Sequence, residues 1–119
     1  MRSVISLLSG AALVGALVMP VAAADMTIKG DVVDVGCATD KKYAGKLEDV
    51  IACTIAVVKK GEPLGVKTAD ALYVISGDYT ANKNAKLLDF VARKVLVTGE
   101  VTEKDGVKSI NVKSIKLAS

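Results

Sequence analysis

Apolar and polar positions alternate most regularly near the C-terminal end of the chain. Val95, Val97, Gly99 and Val101 are interleaved with Thr98, Glu100 and Thr102, Lys104-Asp105-Gly106 supplies a turn, and Val107, Ile110, Val112, Ile115 and Leu117 continue outward. The pattern predicts a long hairpin. In its second strand the apolar parity changes between Val112 and Ile115, which places a bulge at Lys113-Ser114. A similar change occurs over residues 27–37, where Ile28 and Val32 are even but Val33, Val35 and Cys37 are odd. A strand ending in Cys37, with a bulge or sharp coil at Gly30-Asp31, accounts for that pattern and can serve two sheets.

Helical spacing replaces alternation between these strands. Lys41-Lys42-Tyr43-Ala44-Gly45 reads as a loop, after which Leu47, Val50, Ile51, Thr54, Ile55 and Val58 fall along one stripe. Glu48 and Asp49 at its start and Lys59 and Lys60 at its end follow the helix dipole, and Gly61 with Pro63 stops it. Two short strands follow, residues 64–68 and 71–76, joined at Ala69-Asp70 and closed by Gly77-Asp78. Asn84 is placed to cap a short helix whose Leu87, Leu88 and Val91 face inward.

Strand, helical insertion at about 44–60, short hairpin, short helix and long hairpin form one mainly β domain with two helices. The order fits a five-stranded OB-type barrel, in which closure removes exposed edges. The alternative is an open α+β sheet with both helices on one face; the parity changes favour the barrel. No internal repeat, low-complexity tract or linker divides the domain.

The first residues change how the composition is read. Arg2, the apolar run over residues 4–18, and Pro20 followed by Ala22-Ala23-Ala24 have the form of a signal peptide over residues 1–24. A membrane anchor wants roughly 20 apolar residues, whereas this run is shorter and is interrupted by Gly10 and Gly15. A mature domain of residues 25–119 is expected in the periplasm or secreted, with no membrane insertion after cleavage. Without the leader, 15 basic residues face 13 acidic ones, a balance that is no polyanion-binding signature.

The runs GDVVDVGC, GEPLG, LYVISGD, AKLLDFVARKVLVTGEV and EKDGVKSINVKSI, in that order, resemble a family of small secreted bacterial OB-fold proteins of unassigned function, over nearly the whole mature chain. Many members carry a histidine beyond the first cysteine, a Cys-x-x-x-Cys pair on the helix and a Gly-Asp-His after the third strand, which implies a soft-metal or redox site. Cys37 and Cys53 match that pattern, but Val50, Val57 and Tyr79 stand at the other positions, and the chain contains no histidine.

Two cysteines in a small exported domain favour a structural disulfide between Cys37 and Cys53. Its loop of about 15 residues would contribute about 3 kcal/mol in the chain-entropy model. Zinc wants four ligands and finds no third donor here; Cu(I) held by the two thiolates is the metal alternative, and free or exchangeable thiols are a third. No cofactor is implied. Single-stranded nucleic acid wants aromatic platforms along a basic groove, and Tyr43, Tyr73, Tyr79 and Phe90 are the whole aromatic inventory, so nucleic acid is a poor partner. No Cys-His pair or Ser-His-Asp set is present, and Asp31 and Asp34 read as solvent-facing. The chain is therefore expected to be no enzyme. Lys41, Lys42, Tyr43, Asp78 and Tyr79 are the candidate binding residues.

Three roles fit these residues. The first is a non-enzymatic exported binding or accessory domain for a small ligand, glycan or envelope protein. Next come a thiol-based Cu(I)-like metal or redox protein using Cys37 and Cys53, and a purely structural envelope component.

Overall fold

The computed structural model describes residues 24–118. In chain order these form β1 (Ala24–Asp34), α1 (Val35–Thr39), α2 (Leu47–Val57) with a 3₁₀ turn at Val58–Lys60, and β2 (Leu64–Lys67). β3 (Leu72–Ser76), a turn region ending in the 3₁₀ helix Ala85–Phe90, β4 (Lys94–Lys104) and β5 (Val107–Leu117) follow. The predicted leader lies outside the described residues except for Ala24, which opens β1 opposite Val101.

The long hairpin forms as its alternation predicts. β4 and β5 pair antiparallel from Lys104↔Val107 to Val95↔Leu117. Asp105 and Gly106 both have positive φ (53° and 81°), the turn geometry whose twist matches the flanking strands. One register shift, at Thr98/Gly99, leaves Lys113 without a partner. The bulge therefore falls where the parity change places it: Ile110 and Val112 are buried before it, and Ile115 turns inward after it. Opposite the bulge, a Cβ on Gly99 would run into the Asn111 carbonyl, so the strands approach this closely only because the side chain is missing.

β1 closes the barrel by changing neighbours. It pairs with β4 from Ala24↔Val101 to Asp31↔Lys94 and with β2 from Asp31↔Lys67 to Asp34↔Leu64. β2 pairs antiparallel with β3, and β3 runs parallel to β5. The closed order β1-β2-β3-β5-β4 is that of a mainly β, OB-type barrel, and the open sheet is not formed.

The bulge expected at Gly30-Asp31 is absent, because both registers of β1 run unbroken. The even residues Ile28 and Val32 face the interior, and the odd residue Val33 enters a second apolar cluster on the outside of the wall. The apparent change of parity thus records two cores sharing one strand.

Ile28, Val32, Leu64, Val66, Ile75, Val95, Val97, Ile110 and Val112 fill the interior, and Leu87 joins them from the 3₁₀ helix. Phe90, Val91 and Tyr79 pack against the same cluster. Leu88 is exposed rather than inward-facing. Asn84 does not cap through its side chain: it is buried in a left-handed conformation and donates from Nδ2 to the Glu62 carbonyl at 2.9 Å. That bond holds the loop before β2 against the segment leading into β4.

The second cluster lies between the outer face of β1 and α2, with Val33, Cys37 and Val50 buried and Tyr43, Ile51, Cys53, Val57 and Leu72 packed around them. Only part of the expected helical stripe is used. Val50 and Thr54 are buried, while Leu47 and Ile55 are 43% and 60% exposed, because α2 meets the barrel along a narrow line. β1 ends three residues earlier than expected, at Asp34, and Cys37 sits on the short helix α1.

Candidate functional site

Cys37 and Cys53 form a disulfide with a Cα–Cα distance of 5.9 Å, joining α1 to α2. Such a bond is compatible with an oxidising compartment. Polar side chains order the same junction. Asp34 caps α1, its Oδ1 accepting from the Cys37 N–H at 2.9 Å, while its own N–H donates to Thr54 Oγ1 at 2.8 Å. Asp34 is therefore almost wholly buried, not solvent-facing, and its Oδ2 has no partner among the described residues. No group of three or more Cys, Asp or Glu side chains gathers as a metal-ligand set among the described residues.

The candidate binding residues do not converge. Lys41, Lys42 and Asp78 are exposed. Tyr43 packs against the outer cluster, with Lys42 Nζ 5.5 Å from its ring centroid; Tyr79 packs on the barrel interior, with Lys86 Nζ at the same distance from its ring. The two tyrosines thus belong to different cores, and both rings are anchored by packing. None of the five residues lines either of the two depressions described next.

A groove of about 370 Å³ opens on the outer face of β1, beside the insertion. Lys29 and Asp31 from β1, Lys67 from the end of β2 and Lys94 from the start of β4 supply its charged groups. Ala38, Ala44, Leu47 and Val50 supply its apolar wall. The sheet register explains the convergence: Asp31 is the residue at which β1 changes neighbours, so it lies opposite Lys67 on one side and Lys94 on the other. Lys29, two residues earlier, shares its face. Lys94 Nζ donates to Asp31 Oδ2 at 3.1 Å, and the Asp31 side chain is only 10% exposed, so this aspartate too is buried rather than solvent-facing. Lys67 turns its amine to the Thr68 carbonyl at 2.8 Å. Thr68 Oγ1 in turn accepts from the N–H groups of Asp70 and Ala71, which fixes the turn at the rim.

A second depression, of about 400 Å³, lies between α1, the outer face of β3 and the β4–β5 turn. Val35, Leu72, Val74 and Val107 make it largely apolar, and its charged residue, Lys108, pairs with Glu103 at 3.5 Å. The groove beside β1 is the one that combines a buried carboxylate, several amines and an apolar wall.

These features define a small disulfide-stapled barrel of OB type with a basic groove on its outer wall. Comparison of the chain with protein-family models, with curated proteins and with solved structures returns no match.

Proposed function

We propose that the chain is a non-enzymatic binding domain of the bacterial periplasm or exterior, which holds a small ligand in the groove formed by β1 and the stapled insertion. The observation that carries this reading is the groove itself: a concave site in which buried Asp31 and three lysines meet an apolar wall, as small-molecule sites combine a few placed polar groups with apolar lining. The signal-peptide pattern and the disulfide support export. The ordered resemblance to small secreted OB-fold proteins supports kinship with that family, and the engaged sulfurs of Cys37 and Cys53 support a structural role for the pair.

The test is a small-molecule library screened by amide chemical-shift changes on protein recovered from the periplasm, with the mass of that protein measured alongside. Ligands are expected to perturb amides around Asp31, Gly45 and Thr68 and to be recovered chemically unchanged, from a chain beginning at Asp25 with both cysteines oxidised. Turnover of a bound ligand would sink the non-enzymatic reading. Ligands that bind while leaving the groove unperturbed would sink the site.

A further inference from the structure

We propose that the groove recognises a small organic anion, a carboxylate or phosphate head carried on a short apolar body. The inference rests on reading this groove as the binding site of the domain and adds the chemistry of what it takes.

Three lysines and one aspartate line the depression. The aspartate is committed, because Lys94 donates to Asp31 Oδ2 and the carboxylate is nine-tenths buried. Lys67 has only a neutral carbonyl as acceptor, and neither Lys67 nor Lys29 forms an ion pair among the described residues. Two ammonium charges are therefore left over around one small concavity. An ammonium group offers three donors and no acceptor, so its complement is a group that only accepts, such as a carboxylate or phosphate oxygen. Lys67 is partly pre-placed for such a partner: one N–H is tied to the Thr68 carbonyl, which leaves the others for a ligand. A metal cation is the wrong guest, since it would face the same uncompensated positive charge.

The opposite wall sets the other half of the ligand. Leu47 leaves 43% of its surface open, and Ala38, Ala44 and Val50 continue the apolar lining. A bare inorganic anion would leave this wall wet, whereas a short hydrocarbon body would cover it. No aromatic side chain lines the groove, so a neutral sugar finds no ring to lie on. The volume, about 370 Å³, stands at the small end of the roughly 300–1,000 Å³ range of small-molecule sites and is too little for a folded partner.

The experiment is an amide chemical-shift titration of the isotope-labelled, disulfide-intact domain with four probes: hexanoate, hexyl phosphate, the neutral isostere hexanamide, and inorganic phosphate. Saturable shifts at Asp31, Gly45 and Thr68 are expected with the first two. Hexanamide is expected to bind at least about tenfold more weakly, the size of one charged hydrogen bond. Lys67→Gln, at a partly buried position on the rim, should weaken hexanoate by a similar factor and leave hexanamide unchanged. Asp31→Asn should tighten both organic anions by removing the competing carboxylate, a direction that loss of structure would not produce. The double change Lys41→Gln and Lys42→Gln should alter nothing. Whichever of hexanoate and hexyl phosphate binds more tightly identifies the head group. If hexanamide matched hexanoate in the groove, the binding site would stand and the anion inference would be overturned. If inorganic phosphate matched hexyl phosphate, the apolar body would be overturned. Silence from all four probes overturns this inference, while a library ligand of other chemistry occupying the groove would still leave the binding reading intact.

Discussion

The two apolar clusters that share β1 are held together in different ways. Among the described residues the barrel interior buries ten apolar side chains, drawn from every strand and from the 3₁₀ helix, and the sheet closes around them. The outer cluster buries three, Val33, Cys37 and Val50. Three side chains make only a thin apolar layer beneath the insertion. Covalent and polar constraints add to that layer: the Cys37–Cys53 bond, the Asp34 cap on α1 and the Thr54 hydroxyl under the Asp34 N–H. The barrel combines closure by strand pairing with a continuous aliphatic core. The excursion from the end of β1 combines a thin apolar layer with a staple.

Four measurements test this contrast, in decreasing order of expected effect. Ile110→Ala empties a fully buried position of the interior and should cost about 2–5 kcal/mol in urea unfolding, with all amides losing protection together. Val50→Ala in the outer cluster should cost clearly less; equal costs would break the distinction. Replacing both cysteines by serine should cost about 3 kcal/mol in the chain-entropy account. Hydrogen exchange should then accelerate in α1 and α2 while the β4–β5 ladder stays protected, and uniform acceleration would show that the two clusters unfold as one.

Thr54→Val keeps the shape and removes the acceptor beneath the buried Asp34 N–H, for an expected loss of about 1–3 kcal/mol by thermal or urea unfolding. A neutral result would mean that shape alone holds the junction. The smallest effect belongs to the barrel surface. Lys113, the bulge residue, donates to both Asp25 oxygens at 3.0 Å; first that hydrogen bond and then the charge attraction raise its pKa above the ordinary lysine value. Because the folded value is the higher one, the pair's stabilisation is complete below the unfolded pKa and fades as pH rises through the folded one. Thermal unfolding followed into the alkaline range should show a slight extra loss that Lys113→Gln abolishes. The pair is exposed, so salt should flatten the difference as well.

Local pattern was a good guide wherever a structure is made by neighbours in sequence. The β4–β5 hairpin, its Asp105-Gly106 turn and the bulge at Lys113 are all legible, because alternation and turn chemistry act over a few residues. It misled at β1, where Val33 faces outward into a cluster that exists only because α2 folds back over the strand. The same covering explains why Asp31 and Asp34 are buried although isolated aspartates in an alternating strand normally face water. The basic groove was not legible at all. Lys29, Asp31, Lys67 and Lys94 come from three strands, and only the pairing of Asp31 with Lys67 and with Lys94 brings them together. Lys41, Lys42 and Tyr43 adjoin in sequence, as do Asp78 and Tyr79, yet Tyr43 and Tyr79 pack on separate cores.

The way the insertion leaves the barrel has an evolutionary consequence. Asp34 and Leu64 are partners on one rung, and the next bond outward runs from the Val35 N–H to the Pro63 carbonyl at 3.0 Å. Residues 35–63 therefore depart and return through a single doorway, and the barrel strands on either side are already in register without them. Such a loop is free to be lengthened, shortened or exchanged while the scaffold is conserved, and its disulfide travels with it as a self-contained clasp. Since one wall of the groove hangs on that loop and the lysines stay with the barrel, a change in the insertion reshapes the apolar wall while the charged groups keep their places.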